Sequence, residues 1–152
     1  MPGRLPRLAP RHALCVLLLT ILGSCSDSQS PEEAVRSVIT SMEKAAEARD
    51  VGELVEHVSE RYRDGYGHGR DEVSRYVRGY FIANQSIHLL TRIEELDFPS
   101  KEEARATVLV GMVGRDAGAA TWDVAADVYR LKITLLREDG EWKLTYAEWV
   151  RS

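Results

Sequence analysis

Apolar residues recur every three or four positions from residue 31 onward, which predicts an amphipathic helix over about 31–49. The residues just before and inside this segment support its start. Ser30 can cap a helix, Pro31 suits the first turn, and Glu33 three positions after Ser30 completes a capping box. The chain therefore opens its folded part with a helix whose apolar face needs a partner.

Two further helices are predicted before the pattern changes. Asp50 can cap a shorter helix that turns back against the first, with apolar residues continuing to Val58. Three glycines within residues 65–69 then predict a loop, because glycine breaks helices and favours turns. The helical spacing returns over 70–83, which predicts a third helix.

Beyond Asn84 the helical spacing ends. Residues 87–98 are rich in β-branched and apolar residues, and apolar and polar residues alternate from 104, which predicts strands. The predicted strands cover about 87–98, 104–113, 122–137 and 142–150, and residues 114–121 are predicted to form a loop. Asp139-Gly140 predicts a hairpin turn before the last strand. Helices followed by strands indicate an α+β fold, with the helices packed on one face of a curved antiparallel sheet.

The first 24 residues have the pattern of a targeting segment. Arg4, Arg7 and Arg11 form a basic region, and residues 13–22 are apolar except for Thr20. At 1.5 Å per residue, this helix would cover roughly half of a bilayer core of about 30 Å. Such a length is typical of a signal peptide and is too short for a membrane span.

The end of this segment, Leu22-Gly23-Ser24-Cys25, resembles the lipobox of bacterial lipoproteins. The resemblance implies cleavage after Ser24 and lipidation of Cys25. Because Ser26 rather than Asp follows the cysteine, it also implies an outer-membrane protein that faces the periplasm. The alternative is an ordinary secretory signal in which Cys25 is incidental.

These features divide the chain into a signal peptide over 1–24, a lipidated cysteine and polar tether over 25–30, and one domain over 31–152. Two or three acyl chains hold a protein stably at a membrane, whereas one chain binds it only marginally. The membrane is therefore an expected partner, reached through Cys25.

Charge and cysteine content exclude several classes of protein. A formal net charge of -4 argues against a nucleic-acid binder. Cys15 lies in the signal peptide and Cys25 would carry the lipid, so no cysteine remains for a disulfide, a thiolate nucleophile or a metal site. The remaining histidines match no zinc motif, and no phosphate-binding loop or catalytic-serine elbow is present in the sequence. We expect no nucleic acid, no metal and no other cofactor.

Residues 30–150 as a whole resemble the nuclear transport factor 2-like superfamily, a cystatin-like cone that includes ketosteroid isomerase and polyketide cyclases. The resemblance rests on the order and spacing of four features: the helix start at 31–34, the second helix start at 50–54, Tyr62 with Asp64, and the hairpin at 136–144 that contains Trp142. More narrowly, the chain is similar to small bacterial lipoproteins that carry this domain. The resemblance implies a sheet that curls around the helices and leaves a pocket at the wide end of the cone.

Seven residues are candidates to line such a pocket: Tyr62, Asp64, Tyr80, His88, Trp122, Asp127 and Tyr129. Asp127 and Tyr129 share a strand face because they are two positions apart, and His88 on the first predicted strand could reach the same cavity. An isomerase needs such a carboxylate base together with proton donors aimed at one point. Arg92 is a further polar candidate, and Trp149 is a candidate apolar wall.

Other interpretations of these residues stay open. The tyrosines also suit the core or its rim, and His88 also suits a local structural role. The glycine-rich loop after Asp64 suits either turns or a metal site, with turns the simpler interpretation.

The sequence presents no assembled catalytic set. We therefore expect a lipid-anchored envelope protein whose domain binds a small apolar ligand or a protein partner without catalysis. The alternatives are a pocket enzyme of the isomerase, dehydratase or cyclase type, and a module that forms a homodimer through an exposed sheet face. Simple alternation along the last strand puts Trp142, Leu144 and Tyr146 on one face and assigns the pairing face to Thr145, Ala147 and Trp149.

Overall fold

The computed structural model describes residues 29–116 and 124–151, and it contains the three predicted helices. They are α1 (Pro31–Glu47), α2 (Val51–Glu56) and α3 (Arg70–Ala83). The predicted capping box is confirmed, because Ser30 Oγ accepts from the Glu33 N–H at 3.2 Å and the Glu33 carboxylate accepts from the Ser30 N–H at 2.8 Å. This exchange holds the pKa of Glu33 below its usual value.

Five strands form one sheet, in the order β1-β5-β4-β3-β2. They are β1 (Val58–Asp64), β2 (Asn84–Ser100), β3 (Glu103–Asp116), β4 (Val124–Glu138) and β5 (Glu141–Arg151). The strands β2 to β5 pair antiparallel, but β1 runs parallel to β5. The sheet is therefore mixed: the expected antiparallel pairing holds for β2 to β5, and β1 departs from it.

The sequence pattern did not predict β1, because buried and exposed residues do not alternate along most of this strand. Val58 and Ser59 are both buried, and Glu60 and Arg61 are both exposed, before alternation begins at Tyr62. A period of two is the main sequence signal for a half-buried strand, and here only three positions carry it.

The hairpin between β4 and β5 turns at the predicted Asp139-Gly140 pair. Both residues have positive φ angles, 51° and 89°, which is the geometry of a type I′ turn. The loop predicted over 114–121 was wrong at its start, because β3 continues through Asp116. The rest of that segment lies outside the described residues.

A bulge in β5 overturns the face assignment made from simple alternation. Leu135 of β4 pairs with Leu144, but the preceding residue, Thr134, pairs with Tyr146, so β5 contains one extra residue at Thr145. Beyond the bulge the two faces exchange. Trp142 and Leu144 are buried before it and Ala147 is buried after it, while Tyr146 lies at the surface.

The core lies between α1 and the inner face of the sheet. Its most deeply buried large side chains are Val35 of α1, Tyr62 of β1 and Leu135 of β4. The rings of Phe98 and Trp142 meet edge to face at 6.0 Å and close one end of the core. Within the residues that the structure describes, no helix combines the length and apolar character needed to cross a membrane.

Candidate functional site

Three of the predicted pocket residues come together on the inner side of the sheet. Asp127 and Tyr129 are half-buried on the same face of β4, where the Tyr129 hydroxyl donates to Asp127 Oδ2 at 3.4 Å. Tyr80 of α3 approaches from the opposite side and donates to Met112 Sδ at 3.3 Å. The pKa of Tyr80 is raised by partial burial, then by the nearby Tyr129, Tyr76 and Asp127.

His88 does not join this group, so the predicted convergence of His88, Asp127 and Tyr129 was wrong. Along β2 the residues that face the helices include Ile87, which is buried, and Thr91, whose hydroxyl donates to the Glu43 carboxylate of α1 at 2.6 Å. His88 alternates with them and is exposed on the outer face of the sheet.

Arg92 lies on the same outer face as His88, where its guanidinium pairs with Glu94 at 3.0 Å. Glu94 also pairs with Arg130 of β4 at 3.1 Å, and these contacts hold the pKa of Glu94 below its usual value. Arg92 is therefore engaged outside the cone. Trp122 and the predicted lipidation and cleavage sites, Cys25 and Ser24, lie outside the described residues.

Tyr62 and Asp64 point inward from β1, but they have different surroundings. Tyr62 is almost fully buried in the core, and this burial raises the pKa of its phenol. Asp64 lies at the end of the strand, where the chain turns through the glycine-rich loop. Tyr62 therefore packs in the core, whereas Asp64 organises a turn at the edge of the sheet.

The Asp64 carboxylate accepts three hydrogen bonds from the turn that follows it. Oδ1 accepts from the N–H groups of Tyr66 at 2.9 Å and His68 at 2.8 Å, and Oδ2 lies 2.9 Å from His68 Nδ1. Burial alone raises the pKa of Asp64, but the hydrogen bonds from His68 and Tyr66 outweigh it and leave the pKa lowered. Asp64 is thus a buried carboxylate that orients a half-exposed imidazole.

This turn and the end of β5 enclose an open cleft of about 320 Å³. The last pair between β1 and β5 joins Asp64 to Ala147, and β5 continues beyond it to Arg151. We call the resulting space the aromatic cleft; it is lined by Asp64, Gly65, Tyr66, Ala147, Glu148, Trp149 and Val150.

Two aromatic rings define the walls of the aromatic cleft. The ring centroids of Tyr66 and Trp149 lie 6.5 Å apart at an angle of 58°. Tyr66 is 74% exposed, whereas Trp149 is half-buried and packs against the core. The predicted role of Trp149 on an outer pairing face was therefore wrong, and the same holds for the buried Ala147.

On the other side of the turn lies a more polar and more open cleft of about 470 Å³. It contains His68 and several charged residues, including Arg70, which pairs with Glu60 and donates to the Val55 carbonyl at 3.0 Å. Within the described ranges, no group of three or more His, Cys, Asp or Glu side chains is arranged to hold a metal ion.

The outer face of the sheet carries exposed apolar side chains. Leu90 is 79% exposed and lies in one cross-strand row with Gly111 and Val128, and Val150 is exposed in the neighbouring row. These residues, rather than the three assigned from alternation, form the apolar part of the outer face.

The sequence analysis did not single out three residues that line the two clefts: His68, Tyr66 and Glu148. For His68 the sequence contained a signal, because it lies four positions after Asp64 across a glycine-rich loop. The other two residues depend on the pairing of β1 with β5, which brings together segments more than eighty positions apart in the sequence. No local pattern reports such a parallel pairing.

Solved structures of the same architecture are numerous, although the sequence matches no family model and no curated protein. A Novosphingobium aromaticivorans protein assigned as a scytalone dehydratase superposes with a TM-score of 0.73 at 18% identity, over 80% of this chain and 83% of that one. A ketosteroid isomerase-like protein from Erwinia carotovora superposes with a TM-score of 0.64 at 12% identity, over 78% of this chain and 93% of that one. A Nostoc punctiforme protein of unknown function with a cystatin-like fold superposes with a TM-score of 0.64 at 12% identity, over 80% of this chain and 90% of that one.

These likenesses define the class of fold. The chain has the cystatin-like, nuclear transport factor 2-like α+β fold, which confirms the fold class expected from the sequence. At such low identities the likeness extends to the fold alone. Proteins of this fold include enzymes and proteins without a known activity, so the function has to be argued from the site.

Proposed function

We propose that this protein is a lipid-anchored component of the bacterial envelope whose domain binds a small ligand without catalysis. The observation that carries the binding function is the aromatic cleft, where the rings of Tyr66 and Trp149 stand over an open space of about 320 Å³. Ligand sites are typically concave, range from about 300 to 1,000 Å³ and combine apolar walls with a few polar groups.

Binding to the aromatic cleft can be tested with a neutral apolar alcohol, 3,3-dimethylbutan-1-ol, titrated into the full chain and followed by calorimetry. We expect Tyr66→Ala to weaken binding, because it removes one wall. The matched control is Tyr76→Ala on α3, which truncates an equally exposed tyrosine, 72% against 74%. Absence of binding to the unaltered chain, or equal effects of the two substitutions, would contradict the proposal.

The anchor is proposed from the sequence alone. Support comes from the order of a basic region, a short apolar run and the Leu22-Gly23-Ser24-Cys25 box. Radiolabelled palmitate should be incorporated into the unaltered chain and not into Cys25→Ser, and the same substitution should release the protein from the membrane fraction. Incorporation that persists in Cys25→Ser would rule out this lipidation site.

A second candidate function is proton-transfer catalysis, and one specific observation favours it. Asp64 is buried and held 2.9 Å from Nδ1 of His68, whose side chain is 56% exposed. A carboxylate that orients an imidazole in this way fixes the ring so that its other nitrogen, Nε2, can accept a proton. Dehydration and isomerisation both require proton transfer, and the solved structures of this fold include a protein assigned as a scytalone dehydratase and a ketosteroid isomerase-like protein.

The two candidates make opposite predictions in a ketosteroid isomerisation assay, in which the conjugated product is followed by its absorbance. If His68 acts as a base, the unaltered chain should show activity that His68→Gln abolishes. His57→Gln is the matched control, since among the described residues His57 is a second histidine that faces a carboxylate, 3.7 Å from Glu53. No activity in the unaltered chain favours the non-catalytic proposal for this substrate class.

A further inference from the structure

The strand β5 is longer than the neighbour that covers one of its edges. The last pair between β1 and β5 joins Asp64 to Ala147, and the Gly65 N–H donates to the Ala147 carbonyl at 3.0 Å. β5 continues to Arg151, and β4 pairs with its other edge over this whole stretch. Within the described residues, no strand pairs with β5 on the β1 side beyond Ala147. The aromatic cleft therefore lies where a longer β1 would continue.

The direction of the backbone groups follows from the alternation along β5. The Ala147 carbonyl faces β1, and in a regular strand the N–H and C=O groups of every second residue point to the same neighbour. The register with β4 is unbroken from Ala147 to Arg151, so the backbone groups of Trp149 and Arg151 also point to the β1 side. Those of Glu148 and Val150 point to β4. We call the backbone N–H and C=O groups of Trp149 and Arg151 the open edge.

The turn after β1 keeps a strand away from the open edge. The Asp64 carboxylate accepts from the N–H groups of Tyr66 and His68, which holds the chain in a turn. The chain then runs back beside β1, where Gly69 forms an antiparallel bridge with Arg63. Because hydrogen bonds fix this reversal, the open edge is a built feature of the fold.

The opposite edge of the sheet is protected against pairing. β2 forms that edge, and its Leu89 N–H donates to the Glu47 carboxylate of α1 at 2.9 Å. Farther along, β2 carries the exposed Asp97 and Pro99, and charged side chains and proline on an edge strand oppose pairing with another chain. Beside the open edge the turn instead presents the ring of Tyr66, which carries no charge.

We propose that the aromatic cleft binds a short extended peptide, which adds to the sheet as a strand along the open edge. This inference rests on the proposed binding function and names the chemical class of the ligand. A strand that adds to a sheet edge gains affinity from main-chain hydrogen bonds and specificity from alternate side chains. The stretch from Trp149 to Arg151 is about 10 Å long at 3.4 Å per residue, so it suits about three residues of peptide.

The side chain of Trp149 sets the preference at one position of the peptide. Trp149 points to the inner face of the sheet, where it packs against the core. A peptide residue directly opposite Trp149 places its side chain on the same face, beside the indole. We therefore expect an apolar residue at the centre of the peptide.

The test compares acetyl-Thr-Val-Thr-methylamide with an analogue in which every backbone nitrogen carries a methyl group. The analogue keeps the three side chains but has no N–H to donate to the open edge. Each is titrated into the isotope-labelled full chain of 152 residues in a nonionic detergent and followed by NMR. We expect the peptide to bind about tenfold more tightly than the analogue, the ratio for two backbone hydrogen bonds of ordinary strength, and to shift the amide signal of Trp149.

Hydrogen exchange tests the open edge before any ligand is added. The Trp149 N–H should exchange faster than the Val150 N–H, because only the latter points to β4. Saturation with the peptide should slow the exchange of Trp149. A Trp149 N–H that is already as protected as that of Val150 in the free chain would show that this edge is paired, and would overturn the inference.

Two variants at one position test the backbone directly. Arg151→Ala and Arg151→Pro both lose the arginine side chain, and only the proline also loses the N–H that belongs to the open edge. That N–H points away from β4, so the proline removes no hydrogen bond from the β4 pairing. We expect Arg151→Pro to bind the peptide about fivefold more weakly than Arg151→Ala, and equal affinities would contradict strand addition.

The outcomes separate this inference from the proposed function. Equal affinity for the peptide and its methylated analogue, or binding of 3,3-dimethylbutan-1-ol without binding of the peptide, overturns strand addition and leaves the binding function standing. Absence of binding for both the peptide and the alcohol overturns the two together. Peptide binding that does not move the Trp149 amide signal places the peptide elsewhere and overturns the assignment to the open edge.

Discussion

Replacing Asp64 by Asn tests whether the buried carboxylate organises the turn that separates the two clefts. The native carboxylate accepts from two backbone N–H groups and faces His68 Nδ1 at 2.9 Å. Asn can keep the two backbone contacts through its carbonyl oxygen, but it loses the charge and the acceptor that faces His68. Since a hydrogen bond to a charged group contributes about 1.5–3 kcal/mol, we expect unfolding to become easier by about 2 kcal/mol at pH 7.

The pH dependence of this difference gives the sharper measurement. The pKa of Asp64 is lower in the folded chain than in the unfolded one, so its carboxylate stabilises the fold above the unfolded value of about 3.9. This stabilisation is lost as the pH falls through the folded pKa. Urea unfolding at a series of pH values should therefore show a constant gap between the unaltered chain and Asp64→Asn near neutrality, which narrows below about pH 4.

The control for this series is Asp97→Asn, which changes an exposed carboxylate on β2. We expect it to alter stability by less than about 0.5 kcal/mol at neutral pH. A gap for Asp64→Asn that has the same size at pH 7 and pH 3 would refute the argument, because the lost interaction would then not depend on the ionised carboxylate.

The remaining predictions concern packing, backbone conformation and self-association. Leu135→Ala removes a fully buried side chain and should destabilise the fold by about 2–5 kcal/mol in urea unfolding, whereas Ile82→Ala, at a position 76% exposed, should change it little. Gly140→Ala should lower the free energy of unfolding by about 1 kcal/mol, because φ is 89° at this position. Gly79→Ala in α3, where a Cβ meets nothing within 4 Å, should instead raise the free energy of unfolding by up to about 1 kcal/mol. Equal effects of the two substitutions would contradict the argument from backbone conformation. If two copies of the chain pair through the outer face of the sheet, light scattering should give a molar mass of twice 17.1 kDa for the unaltered chain. Leu90→Asp places a charge on that face and should give 17.1 kDa. A monomeric unaltered chain would rule out the pairing.

The predicted helices show how far local signals reach. The capping box at Ser30 and Glu33 and the spacing over 70–83 involve residues within one or two helical turns of each other, so the sequence contains the whole interaction. The Asp139-Gly140 turn was predictable for the same reason, since positive φ angles are least costly for these residue types.

The candidate site was predicted only in part, and its composition explains why. Asp127 and Tyr129 were placed on one face because they are two positions apart on a regular stretch of β4, and Tyr80 meets them across the cone. His88 was placed wrongly because alternation defines two faces and does not say which of them meets the helices. That choice is made by the packing of α1 and α3 against the sheet.

The sequence alone was sufficient to predict the order of the elements other than β1, the α+β class and the main turn, because each depends on contacts between near neighbours in the chain. The parallel pairing of β1 with β5, the bulge at Thr145 and the aromatic cleft between Tyr66 and Trp149 depend on contacts between distant segments. One extra residue in a strand reverses which side chains beyond it point to the inner and to the outer face of the sheet. The extra residue is recognised only from the pairing with the neighbouring strand. The tertiary structure therefore decided which side chains line the site.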